Sequence, residues 1–449
     1  MFQINQTARE NFDQKALAVL KSIKTLPSME NTPSRFPSEI HVTANIDEAD
    51  VIGEITQFAV DAKGRICERF FIHNEIKIGL IISDYANFKI VAENVQRLKG
   101  IRDQLSVKFV EDTLFSWLKE AYQRGFVQVQ FLDYLESSAF RKIEKIRVYV
   151  PMAFTSVELP FEFGGVVIEN ISKALIDAHE PSMSSLQEDV RPHAEQYFKK
   201  FRENFQGYAA IRLDIECEPQ FAKELSLERA HAVADLLCIY SGKVLIPDAR
   251  CSSRPKGAEF IEKSTVIIVG QNDKFRVFEN IVDTNSIETW MISQYELSQY
   301  SKFGFNDLSA LFKSGGGTEF EKSILNMAFL YAKSAFTSDP MAKVIYVLSA
   351  LESILLKNQS EPIQQNLGER LAIFSATELN DRKIILKNVR SVYDLRSRYL
   401  HHGHSSSELE EIQNFLMNVW IFFVKIVGNR QTYSTKEEFL IRIDDEKLS

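Results

Sequence analysis

The stretch Asp339–Leu356, DPMAKVIYVLSALESILL, opens with an N-cap aspartate and a proline at the first helical position. It is the second of five helix-length segments, near 318–336, 339–357, 362–375, 378–402 and 406–427. Their ends are well marked. Gly403 and Gly428 follow helix ends, and Ser405 with Glu408 reads as an S-x-x-E capping box. Connections of a few residues make neighbouring helices pack roughly antiparallel, so an all-α bundle is expected over 318–428.

Upstream of the bundle, SGGGT at 314–318 reads as a flexible connection, and the main domain boundary is placed there, with 284–317 a helical connector and 429–449 a C-terminal tail. Upstream the pattern is different. Short runs rich in β-branched and aromatic residues recur from Glu39 to about Val167: EIHVTANI, VIGEITQFAV, ICERFFI, IKIGLII, KIRVYV and FTSVELPFEF. Asp61–Gly64 reads as a hairpin turn between two of them, and 107–124 as an inserted helix. Helix about 183–205, strand GYAAIRLDIEC, helix about 219–240 and the strand runs STVIIVG and FRVFENIV follow, and the strand signals stop at Thr284. Residues 1–38 form a helix and a linker containing Pro27, Pro33 and Pro37. The fold class is therefore a mixed, β-rich α+β region over 39–283, as one unit or as two near 39–180 and 181–283, followed by the helical bundle.

Composition excludes several classes. Apolar residues are 45% and charged residues 25% of the 449, values of a folded globular chain rather than a disordered or fibrous one. With a net charge of −8, nucleic acid can be bound only through a local basic surface. Cys67, Cys217, Cys238 and Cys251 form no C-x-x-C pair and read as free structural thiols. The N-terminus, MFQINQTARENFDQ, lacks the order of a signal peptide, and the apolar run Phe415–Val427 is too short to span a bilayer. A cytoplasmic protein without membrane contact is the expectation. No phosphate loop, G-x-S-x-G elbow or H-E-x-x-H helix occurs, and His41, His73, His179, His193 and His231 stand isolated.

The fourth helical segment ends in YDLRSRYLHHG, Tyr393–Gly403, which carries Arg396, four residues, then His401. Together with LSALESILL, Leu348–Leu356, about 40 residues upstream, and with the order of the helices, it resembles the ApeA-like branch of the HEPN superfamily over about 110 of the 449 residues. Such proteins are typically metal-independent ribonucleases of toxin, abortive-infection and anti-phage systems, with a composite active site where two protomers meet. The resemblance thus implies an endoribonuclease acting on RNA, tRNA among the candidates, as a homodimer through its helical domain. Arg396 would stabilise charge on a phosphate and His401 would move a proton, leaving a 2′,3′-cyclic phosphate. Glu352, Asp394 and Ser397 are taken as supporting residues. No metal or other cofactor is expected, and a phage-derived trigger or regulatory partner is assigned to the N-terminal region.

A helical wheel adds what the motif does not. At ~100° per residue, Ile385, Leu386, Val389, Val392, Tyr399 and Leu400 form the apolar face of the fourth helix, with Arg396 in its middle. Glu352 falls among Ile345, Leu348 and Leu356 on the second helix. Two opposite charges on core-facing positions are expected to pair, which makes Arg396 a structural strut, a catalytic group or both. Arg396 and His401 point about 140° apart on an ideal helix. Unwinding of the last turn at Gly403 would bring His401 round, and His402, which shares a face with Arg398, is the second candidate. A zinc site from His401, His402 and His404 lacks a fourth ligand at a recognised spacing.

Between Arg382 and Arg398 lie six basic residues against one acid, Asp394. Lys383, Lys387, Arg390, Arg398 and, on an undistorted helix, His401 fall on one polar face, as RNA-backbone contacts or as an ordinary solvated surface. The competing function is a non-catalytic HEPN protein that only dimerises or holds a partner as a sensor or adaptor. A nucleotide-binding regulatory module is weakened by the missing phosphate loop.

Overall fold

A computed structural model of the chain describes residues 2–26, 57–60, 66–74, 76–180, 188, 191–258, 263–269, 275–281, 289–358, 360–402 and 408–447. The chain divides into two units, Met1–Arg147 with Asp214–Leu225, and Val148–Leu213 with Ser226–Ser449. The first holds α1 (Gln6–Lys21), β1 (Lys24–Thr25), β2 (Gln57–Val60), β3 (Ile66–His73), β4 (Ile76–Leu80), α2 (Ile82–Gln96), α3 (Val107–Arg124) and α4 (Phe131–Phe140). Its strands form an antiparallel sheet in the order β1-β4-β3-β2.

The inserted helix expected at 107–124 is α3. The Ser106 side chain accepts the Phe109 N–H at its start, and Gly125, with φ 76°, ends it. Its Val110, Leu114, Trp117 and Leu118 are buried against Phe88 and Val91 of α2 and Leu132 of α4. The run IKIGLII is only partly a strand. It leaves the sheet after Leu80, and Ile82 begins α2, a helix that its strand-like start concealed. EIHVTANI, the Asp61–Gly64 turn and the three linker prolines lie outside the described residues, although β2 and β3 on either side of that turn do pair antiparallel.

Next in the chain come β5 (Glu144–Ala153), β6 (Thr155–Val157), β7 (Phe161–Phe163), β8 (Val166–Asn170), α5 (Lys173–His179), α6 (Arg191–Phe205), β9 (Ala209–Cys217), α7 (Pro219–Cys238), β10 (Arg254–Pro255), β11 (Lys263–Val269), β12 (Phe275–Ile281) and β13 (Trp290–Ile292). A five-stranded sheet has the order β10-β5-β9-β8-β7, and β11 pairs antiparallel with β12. Strand structure continues past Thr284, contrary to the sequence reading, because β13 pairs in parallel with β6. Three residues are too few to show a period-two pattern.

The rest is helical: α8 (Gln294–Lys302), α9 (Phe305–Ser314), α10 (Glu319–Lys333), α11 (Pro340–Leu355), α12 (Ile363–Ser375), α13 (Leu379–His402), α14 (Leu409–Gly428) and α15 (Lys436–Glu446). A mixed α+β half precedes an all-helical C-terminal region, as the sequence patterns imply. One core runs from Val150, Ile168 and Ile211 of the sheet through Val233 and Leu237 of α7 to Leu311, Ile324, Leu351, Val389, Phe422 and Ile443. The 314–318 connection therefore lies inside the second unit, where Gly315 ends α9 and Thr318 with Glu321 forms the capping box of α10. Within the stretch set apart as a tail, α15 buries Phe439, Leu440 and Ile443 in this core. Glu408 is the N-cap of α14 and makes no side-chain capping bond, so it does not serve as the third helical residue of a capping box, and Ser405 lies outside the described residues. Among the described residues no helix is long and apolar enough to cross a membrane.

Candidate active site

The motif is positioned by α11 and α13, which pack side by side. The Asp339 carboxylate accepts the Met341 and Ala342 N–H groups at 2.8 and 2.9 Å, fixing the start of α11. Leu348, Leu351 and Leu355 then point into the core, and Glu352 comes to its rim. On α13 the buried face is Ile385, Val389, Val392 and Leu395. Leu400, assigned to that face by the wheel, is 57% exposed, and Leu395 takes the last core position. Tyr399, one turn on, is half-buried against the core.

Arg396 is thus at the edge of the core. Its Nη1 lies 3.6 Å from Glu352 Oε1, with the two side chains 31% and 26% exposed. The pair expected from the wheel is brought together, but at a half-buried position and beyond hydrogen-bond distance. The hydrogen bond to Glu352 Oε1 comes instead from the Tyr393 hydroxyl, at 3.0 Å. Burial, and then the neighbouring Glu352 charge, push the Tyr393 phenol well above its usual range, so it stays protonated and donates. The Arg396 guanidinium lies 5.9 Å from the centre of the Tyr393 ring, and its shielded Nε has no hydrogen-bond partner among the described residues.

Arg370 shows what a structural arginine looks like in the same unit. It is buried, and it donates to Glu361 Oε1 and Oε2 at 3.0 and 3.1 Å, to Asp444 Oδ1 and Oδ2 at 2.8 and 3.0 Å, and to the Leu355 carbonyl at 2.6 Å. Such a guanidinium has no donor left for a ligand. Among the described residues Arg396, by contrast, has one ion pair and no hydrogen bond to Glu352.

His401 is exposed on the last turn of α13, which stays helical through His402. The unwinding that would have swung His401 toward Arg396 does not occur before that residue, so the two remain about 140° apart around the helix axis. The His402 side chain and all of Gly403 and His404 lie outside the described residues. Asp394, Ser397, Lys383, Lys387 and Arg390 are exposed on α13. Arg398 is exposed too, with Nη2 3.1 Å from Glu408 Oε1.

Sequence reasoning missed Tyr393 as the partner of Glu352, although its spacing of three from Arg396 puts both on one helix face. It also missed Lys343, a fully buried lysine whose Nζ donates to the carbonyls of Lys243, Ile246 and Ala249 at 2.7–2.8 Å. Burial pushes its pKa down to about 7. With three acceptors on one ammonium it holds a loop and has no access to substrate. An apolar cavity of about 600 Å³, lined by Tyr240, Tyr300, Phe303, Trp420 and neighbours, includes none of the motif residues. Comparison with protein-family models, with curated proteins and with solved structures gives no match to this chain.

Proposed function

We propose that the chain is a metal-independent endoribonuclease of the HEPN type, acting in the cytoplasm in bacterial anti-phage defence or as a toxin. The observation that carries this reading is the state of Arg396: it is oriented by Glu352 at 3.6 Å, while the hydrogen bond to that carboxylate belongs to Tyr393. The guanidinium keeps donors for an RNA phosphate, and Lys383, Lys387 and Arg390 line the exposed part of the same helix. In the proposed reaction Arg396 neutralises the charge that builds on the phosphate. His401 takes the 2′-hydroxyl proton or supplies one to the leaving oxygen. Because Arg396 and His401 lie on different faces of one helix, the proposed site takes Arg396 from one protomer and His401 from its partner in a two-fold dimer. The N-terminal region is assigned the selection of RNA or the reception of a phage-derived signal.

A second reading has one observation in its favour. Arg396 and His401 do not converge within a single chain, as a non-catalytic dimerisation or adaptor protein would also allow. RNA cleavage in EDTA separates the two. The proposed nuclease cuts RNA without metal, and His401→Ala and Arg396→Ala each lower the rate about 10²-fold or more while leaving the fold intact. Undiminished cleavage by both variants would leave only the adaptor reading.

A further inference from the structure

Cys238 ends α7, and Cys251 lies on the loop that leads into β10. Their sulfurs are 3.3 Å apart and both residues are buried, Cys251 retaining 7% exposure. The intervening loop is held from two sides. Lys343 of α11 grips the carbonyls of Lys243, Ile246 and Ala249, and the Cys251 N–H donates to the Ala335 carbonyl at 2.6 Å. A clamped loop with two facing sulfurs needs a displacement of little more than 1 Å to reach disulfide bonding distance.

We infer that Cys238 and Cys251 are a redox-modification site, a thiol pair that a hydroperoxide converts to an intramolecular disulfide. The surroundings divide the two roles. The contact with the Cys238 sulfur holds the Cys251 thiol below its usual range against the effect of burial, helped by the Ser253 N–H, Ser241 and the Lys243 charge, while the Cys238 S–H donates to the Ser253 carbonyl at 3.3 Å. Burial, then the bond to Cys251, hold Cys238 well above its own. Cys251, the one of the two that keeps any exposure, is the sulfur a peroxide reaches first. Its sulfur takes the distal peroxide oxygen, the O–O bond breaks, and the leaving oxygen departs with the former Cys251 proton as water, or as an alcohol from an organic hydroperoxide. Cys238 then attacks the sulfenic sulfur, the S–S bond forms, the S–O bond breaks, and hydroxide leaves with the Cys238 proton as water. Two thiols lose two electrons and two protons, and the peroxide gains them.

Cys217 is an internal control, since burial and then the Glu218 charge push it up to about 11 and no second thiol faces it among the described residues. The test treats the full chain with hydrogen peroxide, blocks remaining thiols with N-ethylmaleimide under denaturing conditions and maps non-reduced peptides by mass spectrometry. The expected product is a peptide pair joined through Cys238 and Cys251, lost on reduction and formed roughly tenfold faster than any oxidation of Cys217. In Cys238→Ala the Cys251 sulfenic acid has no resolving partner and is captured by dimedone. Recovery of both thiols fully alkylated from the parent after peroxide treatment would overturn the proposal. So would a cross-link that forms only once the protein has been unfolded. The parent measurement alone decides this if the variant does not fold.

Discussion

Glu352 Oε1 serves two partners, the Tyr393 hydroxyl by a hydrogen bond and Arg396 by charge alone. Because the Arg396 pair is partly exposed, its loss costs less than that of a buried ion pair. Glu352→Ala is expected to lower stability by about 1–2 kcal/mol, mostly from the half-buried phenol left without an acceptor. Tyr393→Phe is expected to cost under about 1 kcal/mol, and a double-mutant cycle in denaturant melts apportions the two. A much larger loss in Glu352→Ala would mean that Arg396 is a buried strut after all. Arg370 is the contrasting case. Arg370→Met is expected to cost about 3 kcal/mol near neutrality. The hydrogen bonds from Arg370 hold the Asp444 and Glu361 carboxyls below their usual range. Their contribution is full above the unfolded values near ~4 and is lost as pH falls through the depressed folded values. Melting temperatures below about pH 4 should therefore fall more steeply for the parent than for Arg370→Met. The pairing of Glu352 with Arg396 was legible in the sequence because a wheel reports which residues share a face. Its exposure was not legible, because where a core ends depends on neighbouring elements that a wheel does not contain.

At the scale of elements, the long periodic helices were the readable ones. The expected segments 339–357, 362–375 and 378–402 correspond to α11, α12 and α13 within a few residues, since each carries its own caps and apolar spacing. Pieces whose formation depends on distant chain were not readable. β13 exists by pairing with β6, and α2 begins inside a run with strand character. Lys343 belongs to the same class: in sequence it is one polar residue in an apolar helix, and its three carbonyl acceptors lie about a hundred positions away. Lys343→Met keeps the apolar stem but leaves those carbonyls without a donor, and it is expected to lower stability by about 2 kcal/mol or more. Hydrogen exchange should show the amides of 243–251 opening first. Unchanged protection there would mean that the loop is held by other contacts.

For the whole molecule, the continuity of the second core sets how function can be tested. A fragment beginning at residue 314 keeps α10 to α15 but loses α9, α7 and the sheet strands that share their core. It is expected to be insoluble or molten, with near-ultraviolet circular dichroism lost, so its inactivity would say nothing about inhibition by the N-terminal region. A cooperative melt of that fragment would show that the helices form a self-sufficient core. In the full chain the proposed nuclease is a dimer at micromolar concentration by light scattering, and a fully active monomer would remove the composite site. The most direct measurement is complementation between dead variants. Arg396→Ala and His401→Ala chains, coexpressed with different tags and purified through both, give dimers in which one composite site loses both groups and the other keeps both. If each site draws Arg396 from one protomer and His401 from its partner, the mixed dimer recovers about half of the parental RNA cleavage in EDTA, while each variant alone stays inactive. A mixed dimer as inactive as its parents would contradict the account.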